Sequence, residues 1–573
     1  MRNFIMPAMV VAASTMAAPA TAQDIQGYWQ GHLQLGGASL PLGIGIEDDG
    51  DGGYSGWLDS PAQNGFDIPL TDVALTEGVL TFSVPAIGAT YRGDWNAVDE
   101  RWDGVFSQGQ MTLRLNLTAG TAPDRPETSG PSELPSDWTM PDDDAIAAII
   151  AERVANRPGA GMVVGVIEPQ FERFIGGGVE GFDSNTIFEI GSMTKVFVSL
   201  LLADMTLDGT VSLDDPVARY LPDGASMPSR GGQQITLRNL SQQDSGLPRL
   251  PANLDPADMT DPYADYTEAQ LLEFLAGYEL PRDIGSEYEY SNLGVGLLGY
   301  ALGRADGSDF GTALRNHVLD PLGLEDTRLE LDEEQQTRFA DGFDDYMRPT
   351  SPWRFDVLAG AGALKSTAAD IAKFLQAALD PASPIADAMA LAVSETRAGP
   401  GYTAGLGWMM SDAPSGQLIG HGGGTGGFRS QMILQPESGR AVVVLTNAAP
   451  EPSAQDIALH VLMGSPVAPT GDVPEPPEQV NREEVALTDA QLDRVVGTYS
   501  AAPGVDVVVA RDADGLTVQL PGQNALRVYP SGPLTFFYRA VNAEIVFTQN
   551  EAGEISGATF TQDDTSTAIT RVD

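Results

Sequence analysis

Two proline-rich segments divide the 573-residue chain into three parts, and this division limits the fold more than any other feature of the sequence. The first segment, residues 119–137, reads AGTAPDRPETSGPSELPSD. The second, residues 464–484, contains SPVAPTGDVPEPPEQ. Proline fixes φ and has no backbone N–H, so such runs are typical of linkers between folded units. We therefore expect domains at residues 24–118, 138–463 and 485–573.

The two outer parts are predicted to be small β domains. Residues 24–118 contain short runs of alternating apolar and polar residues, such as TLRLNL at 112–117, separated by glycine and aspartate turns. The last part begins with a short helical piece, LTDAQLDRVVG, and continues as strand-and-turn sequence. The middle part mixes helical and strand patterns, which predicts an α/β (α+β) fold class with a helical subdomain beside an antiparallel sheet.

The first 22 residues have the pattern of a secretory signal peptide. Arg2 precedes an apolar and small-residue stretch, and Ala20-Thr21-Ala22 fits the cleavage site. A buried N-terminal helix is the alternative interpretation. We expect an exported protein, periplasmic or secreted, that is cleaved near Ala22. Further along the chain, no stretch approaches the roughly 18 uninterrupted apolar residues of a membrane span, so none is expected.

The composition excludes several classes of function. A formal net charge of −48 argues against nucleic acid and anionic membrane surfaces as partners. The chain has no cysteine, which excludes disulfides, thiolate catalysis and zinc–thiolate sites. His32, His317 and His460 lack the spacing of metal ligands, so neither a metal nor another cofactor is expected. The remaining expected partners are small molecules or peptides, and the sequence indicates no oligomeric state.

Ser192 and Lys195 form an S-x-x-K motif at the start of a strongly apolar helix. The sequence TIFEIGSMTKVFVSLLLADMTLDG predicts a short strand before Gly191 and a helix from about Ser192 to Gly209. Residues three apart lie on one helix face, so Lys195 is placed one turn above Ser192. A serine hydroxyl needs an adjacent base to become a nucleophile. A serine helix cap followed by a surface lysine would give the same string, but the chain has only three lysines, Lys195, Lys365 and Lys373.

Two further clusters carry candidate functional residues. Tyr290 and Asn292 belong to the sequence YEYSN, and we expect a lysine cation beside Tyr290 to lower its pKa so that it can serve as a base. His421 begins HGGGTGGF, a glycine-rich stretch before the predicted hairpin SQMILQPESGRAVVVLTN. Glycines allow close backbone approach, so this stretch can present N–H groups to a substrate oxygen, although a plain glycine-rich turn is the alternative.

Taken in order, S-x-x-K, Y-x-N and H-G-G resemble the serine β-lactamase and penicillin-binding protein superfamily, specifically its class C-like branch. That branch includes D-alanyl-D-alanine carboxypeptidases, D-aminopeptidases and family VIII carboxylesterases. The resemblance covers residues 138–463 and includes LDDPVARYLP, ITLRNLSQQDSGLP and GAGALKSTAADIAKFL. It implies a β-lactamase/transpeptidase-like domain in which Ser192 is the nucleophile and Lys195 and Tyr290 share the base role. It also implies that Asn292 binds a substrate amide and that the N–H groups of Ser192 and Gly424 form an oxyanion hole.

The chain departs from the resemblance in its third motif. His421-Gly422-Gly423 stands where β-lactamases have K-T-G, so the lysine and threonine that would bind a substrate carboxylate are missing. We still expect His421 and Gly423 to contact substrate, with His421 donating one hydrogen bond and gaining charge only toward pH 6.5. The expected activity is hydrolysis of small, preferably uncharged, esters or amides, as in carboxylesterases or D-amino-acid peptidases. A β-lactamase or D-Ala-D-Ala carboxypeptidase, and a catalytically idle binding or sensor protein, are the alternatives.

Overall fold

The computed structural model describes residues 25–122, 138–474 and 484–572. Short stretches are excepted within these ranges: residues 36–37, 49–52, 61–64, 77, 86–88, 98, 100, 109–110, 180, 259, 503–504, 513–514, 521–524, 539–542, 551 and 563–564. The predicted signal peptide, residues 1–22, lies outside the described residues. So do residues 123–137 and 475–483, which make up much of the two predicted linkers.

The N-terminal part is an antiparallel β sheet, as the alternating pattern predicted. Its strand order is β4-β3-β2-β1-β10-β8-β7-β6-β5, with β9 paired to β8. Edge-to-face contacts among Trp29, Trp95 and Trp102 lie at the core of the sheet. The strands are β1 (Gly27–Leu35), β2 (Ala38–Asp48), β3 (Tyr54–Ser60), β4 (Gly65–Pro69), β5 (Thr71–Thr76), β6 (Val79–Val84), β7 (Ala89–Asn96), β8 (Arg101–Gln108), β9 (Met111–Arg114) and β10 (Leu117–Ala119).

The middle part contains the helices and a large antiparallel sheet. Its helices are α1 (Asp143–Val154), α2 (Thr194–Leu207), α3 (Leu237–Ser241), α4 (Glu268–Gly277), α5 (Asn292–Asp306), α6 (Phe310–Leu314), α7 (Glu333–Gln336), α8 (Ala368–Leu379), α9 (Ala386–Ser394) and α10 (Gln455–Met463). Its strands are β11 (Met162–Glu168), β12 (Phe171–Gly177), β13 (Ile187–Glu189), β14 (Ser229–Arg230), β15 (Gln233–Gln234), β16 (Gly342–Phe343), β17 (Pro349–Thr350), β18 (Lys365–Thr367), β19 (Arg397–Ala398), β20 (Thr403–Ala404), β21 (Met409–Ala413), β22 (Gly416–Gly424), β23 (Arg429–Gln435) and β24 (Arg440–Thr446).

The large sheet has the order β12-β11-β24-β23-β22-β21-β20-β19 and is covered by helices on both faces. Val164 and Val166 of β11 face the core formed with α1 and α10, whereas Val163 and Ile167 face the core that contains α2 and α8. Because both faces are buried, the interiors of β11 and β24 are apolar and do not alternate. The predicted hairpin is confirmed as β23 and β24.

The C-terminal part is a closed antiparallel barrel preceded by α11 (Asp489–Asp493). Closure comes from pairing of the first strand with the last, so the barrel has no free edge. Its strands are β25 (Gly497–Ala502), β26 (Val505–Asp512), β27 (Gly515–Gln519), β28 (Leu526–Pro530), β29 (Thr535–Tyr538), β30 (Ala543–Gln549), β31 (Ile555–Gln562) and β32 (Thr565–Arg571). The predicted fold class is therefore confirmed, with β domains on both sides of a mixed α/β domain.

Helix α2 lies at the centre of the helical core and fixes the position of the S-x-x-K motif. Every residue from Thr194 to Ala203 is buried, as its apolar character predicted. A 3₁₀ turn, Gly191–Met193, joins β13 to α2, and β13 pairs with β18. None of the helices in the described part of the chain is long and apolar enough to cross a membrane.

Candidate active site

Backbone contacts hold the Ser192 turn rigidly between two strands. The Ile190 N–H donates to the Leu364 carbonyl at 3.0 Å, and the Ser430 hydroxyl donates to the Ile190 carbonyl at 2.8 Å. On the other side, the Thr194 hydroxyl accepts a hydrogen bond from the Leu364 N–H at 3.1 Å. Ser192 therefore stands at the entrance of a buried helix with little freedom to move.

Lys195 meets Ser192 as the three-residue spacing predicted. Its Nζ lies 2.9 Å from Ser192 Oγ and 2.5 Å from the carbonyl oxygen of Ala361. The residue is 1% exposed, and no described carboxylate pairs with it. Burial, followed by the nearby charge of Arg249, lowers the pKa of Lys195 well below its ordinary value. Such an amine can be neutral at working pH, as a base must be.

Tyr290 completes a compact group with Ser192 and Lys195. Lys195 Nζ lies 5.0 Å from the centroid of the Tyr290 ring, and Ser192 is near enough to the tyrosine hydroxyl to influence its pKa. The expectation that a lysine cation lowers the pKa of Tyr290 is wrong. Burial raises that pKa to about 12, and Ser192 and Arg249 only partly offset it. Tyr290 therefore keeps its proton at neutral pH and is a hydrogen-bond donor.

His421 faces the same group from β22, and its ring lies 6.3 Å from that of Tyr290. Its Nδ1 is 2.6 Å from the carbonyl of Gly422, which only a protonated Nδ1 can satisfy. Burial, followed by the charge of Lys195, lowers the pKa of His421 to about 4. The histidine is thus neutral with Nε2 as an acceptor. This corrects the expectation that it donates to a substrate and gains charge near pH 6.5.

Two glycines allow the Ser192 turn to pack directly on the end of β22. Gly191 has φ +50°, and a Cβ there would lie 2.6 Å from the backbone N of Gly424. A Cβ on Gly423 would lie 2.0 Å from the Ile190 carbonyl oxygen. Neither position accepts a side chain without displacing backbone. The glycine-rich stretch therefore packs the Gly424 backbone directly on the Ser192 turn, and its residues up to Gly424 belong to β22. An oxyanion hole formed by the N–H groups of Ser192 and Gly424 stays a prediction.

The loop before Tyr290 is attached to Gln243, which belongs to the stretch ITLRNLSQQDSGLP. The Gln243 carbonyl accepts from the Glu289 N–H, and its side-chain oxygen accepts from the Ser291 N–H, both at 2.7 Å. Ser291 also caps α5 by accepting from the Gly294 N–H at 2.8 Å. Gln243 therefore helps to hold the loop that carries Tyr290 in place.

Asn292, the first residue of α5, is the one predicted site residue that stands apart. Its Nδ2 donates to the Tyr263 hydroxyl at 3.0 Å. Its Oδ1 is buried and has no hydrogen-bond partner among the described residues. Asn292 is not among the residues that line the cavity above Ser192.

The cavity above Ser192 has a volume of about 850 Å³ and is lined by Tyr290, His421, Gly423 and Gly424. Sequence reasoning missed another lining residue, Arg249. Its guanidinium carbon lies 5.4 Å from the Tyr290 ring centroid, and its carbonyl accepts the N–H groups of Asn292 and Leu293. Arg249 directly follows the stretch ITLRNLSQQDSGLP, which was the one signal that could have marked it.

His317 has partners that its sequence spacing did not reveal. Its Nδ1 lies 2.7 Å from an Asp204 oxygen and its Nε2 lies 3.2 Å from an Asp306 oxygen. Asp204, Asp208 and His317 place ligand atoms within 4.8 Å of one another. Both ring nitrogens are already used in hydrogen bonds to carboxylates, so this group is an ionic cluster that joins α2, α5 and the π-helical turn Arg315–Leu319.

The chain is similar to known proteins of one family. The Beta-lactamase family model matches residues 146–462. The chain is 27% identical to penicillin-binding protein 4* of Bacillus subtilis, over 64% of this chain and 84% of the relative. It is 27% identical to a beta-lactamase of Pseudomonas fluorescens, over 53% of this chain and 93% of that protein.

A third relative is the D-alanyl-D-alanine-carboxypeptidase/endopeptidase AmpH of Escherichia coli, 29% identical over 46% of this chain and 72% of that protein. The family match spans more than half of the chain and contains the Ser192, Tyr290 and His421 segments in the expected order. The matched region also contains Ser192 with the buried Lys195 amine beside it. The chain therefore belongs to the beta-lactamase family of serine hydrolases.

Proposed function

We propose that the protein hydrolyses small esters or amides through an acyl-enzyme on Ser192. The observation that carries this proposal is the buried Lys195 amine, which lies 2.9 Å from Ser192 Oγ and has no described acidic partner. A buried ammonium without a counter-ion is costly, so the neutral amine is favoured. One of its N–H bonds points to the Ala361 carbonyl, which leaves the lone pair for the serine proton.

The proton follows a closed path through Lys195 and Tyr290. As the bond from Ser192 Oγ to the substrate carbonyl carbon forms, Lys195 takes the hydroxyl proton. The bond to the leaving group then breaks, the leaving group takes a proton from the Tyr290 hydroxyl, and Lys195 returns one to Tyr290. Water next attacks the acyl carbon, gives its proton to the same pair, and the serine Oγ–carbon bond breaks. The acid product leaves and Ser192 regains its proton.

Backbone and side-chain groups around Ser192 stabilise and orient the substrate in this proposal. The N–H groups of Ser192 and Gly424 bind the oxygen that becomes negative in each tetrahedral intermediate. Gly423 and the acceptor Nε2 of His421 contact the substrate from β22. Asn292 binds a substrate amide through its Oδ1, which has no hydrogen-bond partner among the described residues. Because Asn292 does not line the cavity, this contact requires its side chain to move.

A second candidate, a β-lactamase or D-Ala-D-Ala carboxypeptidase, is favoured by the names of the relatives. The acyl-enzyme chemistry is the same, so the two candidates differ only in what the cavity recognises. A catalytically idle binding protein would not need a buried amine beside Ser192, and the intact Ser192–Lys195–Tyr290 group argues against it.

Intact-mass spectrometry separates these candidates. The protein is incubated in turn with a fluorophosphonate, a penicillin and an activated butyrate ester. We expect a stable fluorophosphonate adduct and a transient butyryl adduct, both lost in Ser192→Ala. A long-lived penicilloyl adduct or rapid penicillin turnover with no ester reaction supports the second candidate. No adduct with any of the three probes would leave the binding protein as the better reading.

A further inference from the structure

The wall of the catalytic cavity has a charge opposite to that of the protein. The chain carries 79 acidic and 31 basic residues. Among the described residues that line the cavity there is no aspartate or glutamate, but there are two arginines, Arg249 and Arg429. Screening limits the reach of the acidic surface to about 8 Å at physiological ionic strength. The local charge at the cavity wall is therefore set by these two arginines.

The two arginines differ in whether their charge is already used. Arg429 pairs with Asp345 and Glu451 and donates to the carbonyls of Thr425 and Phe428. Within the described part of the chain, the Arg249 guanidinium forms neither an ion pair nor a hydrogen bond, and its contact is with the face of Tyr290. The charge of Arg249 is therefore open to an anionic group of a ligand, with which a guanidinium forms strong charge-assisted hydrogen bonds.

The position of Arg249 is fixed by the backbone around it. Its carbonyl accepts the Asn292 and Leu293 N–H groups at 3.0 and 3.1 Å, and the adjacent Pro248 carbonyl accepts the Ser291 hydroxyl at 2.6 Å. From this fixed backbone the guanidinium lies over Tyr290, the residue that protonates the leaving group in the proposed mechanism. An anion at Arg249 would thus belong to the leaving-group side of the substrate.

We propose that Arg249 forms a carboxylate-binding subsite and that the preferred substrates are esters or amides whose leaving group carries a carboxylate. This inference rests on the proposed acyl-Ser192 function. It assigns to Arg249 the cation that the third motif lacks, because neutral His421 presents only an acceptor to the cavity. The sequence-based expectation of uncharged substrates rested on that motif and on the acidic net charge of the chain.

A matched pair of esters tests the subsite. The substrates are 3-carboxyphenyl butyrate and 3-carbamoylphenyl butyrate, which share an acyl group and differ in leaving-group charge. The readout is the ratio of their kcat/KM values, obtained from phenol release. We expect the wild type to prefer the carboxylate and Arg249→Gln to lower the ratio about tenfold, as the loss of a charge-assisted hydrogen bond does. Arg249→Lys should be intermediate because it keeps the charge without the planar fork.

Arg219→Gln is the control, because it removes the same charge from an exposed arginine outside the cavity. It should leave the ratio unchanged. An unchanged ratio in Arg249→Gln, or an equal fall in Arg219→Gln, overturns the subsite. Failure of the proposed function is seen separately, as hydrolysis that persists in Ser192→Ala.

A competition experiment covers the case in which neither ester is turned over. Benzoate and benzamide compete with fluorophosphonate labelling of Ser192 in the wild type and in Arg249→Gln. Benzoate should protect the wild type better than benzamide does, and this difference should disappear in the variant. Equal protection by both compounds in the wild type overturns the subsite.

Discussion

Replacing Lys195 with methionine should raise the stability of the middle domain at neutral pH while removing hydrolysis. The amine is 1% exposed and lies in a helix whose other residues are almost all apolar. Folding strips it of water and offers it no counter-ion, so the folded state disfavours its charged form. Methionine has a similar length and no charge to bury, and it fills irregular apolar space well.

The size of the effect follows from proton linkage. The folded pKa of Lys195 is depressed, whereas in the unfolded chain it has its ordinary value of 10.5. Between these two values the unfolded state holds one more proton than the folded state. The free energy of unfolding of the wild type therefore rises with pH in that window, by up to about 1.4 kcal/mol per pH unit relative to Lys195→Met. The advantage of the variant is largest at low pH and shrinks toward pH 10.5. The Ala361 carbonyl left without a donor costs about 1 kcal/mol at every pH.

The assay is urea unfolding of wild type and variant at pH 7, 8 and 9. The three parts of the chain have separate hydrophobic cores, so only the transition that shifts on substitution is assigned to the middle domain. Lys373→Met provides the comparison, because it removes an exposed lysine from the same domain. Identical pH dependence in wild type and Lys195→Met would refute the reasoning. It would mean that Lys195 is charged when folded and cannot take the proton of Ser192.

Four other outcomes are expected. Ser192→Ala should lower hydrolysis by several orders of magnitude with little change in melting temperature, and residual kcat/KM within about tenfold of wild type would exclude it as nucleophile. Lys195→Arg should be acylated almost as slowly as Lys195→Met in a single-turnover assay, because arginine keeps its proton. Fast acylation of Lys195→Arg would mean that residue 195 contributes only its charge and is not the base. Arg249→Gln should move the acid limb of the kcat/KM pH profile to higher pH, since the Arg249 charge helps to lower the pKa of Lys195, and an unmoved limb would contradict this coupling. His317→Gln should destabilise the protein more at pH 5 than at pH 9 in urea titrations, because hydrogen bonds to Asp204 and Asp306 outweigh burial and raise the pKa of His317. The stabilisation by the charged form of His317 is complete below about pH 6.5 and is lost as pH rises through the raised folded pKa. Because His317 is partly exposed, this stabilisation should stay below about 1 kcal/mol. An equal loss at both pH values would refute it.

The parts of the site that depend on local spacing could be predicted from the sequence. Ser192 and Lys195 are three residues apart on a helix, and this spacing alone places them together. The strand before Gly191 and the hairpin after the glycine-rich stretch followed from apolar runs bounded by turn residues. Tyr290 and His421 lie about 100 and 230 residues further on, so their place beside Ser192 came from the family resemblance.

The remaining features depend on the packed interior. The direction of the Tyr290 pKa shift was mispredicted because a nearby cation is visible in a motif whereas the depth of burial is not. The Nδ1 proton of His421 is fixed by the Gly422 carbonyl, which depends on a ring orientation that no sequence pattern gives. The two carboxylates that hydrogen-bond to His317 lie on two other helices, so the sequence around His317 does not reveal them. Arg249 is one of 28 arginines in the sequence. Its place in the cavity wall, and the lack of any described ion pair or hydrogen bond to its guanidinium, are visible only in the structure.

Locating the acyl group on the chain tests the central claim most directly. The protein is mixed with an activated butyrate ester, quenched in acid during turnover and digested with trypsin, which releases residues 174–195 as one peptide containing Ser192 and ending at Lys195. We predict that this peptide carries one butyryl group on Ser192 in the wild type. Ser192→Ala should carry none and should not hydrolyse the ester. A butyryl group on another residue during turnover, or turnover with no acylated Ser192 at any quench time, would contradict the account.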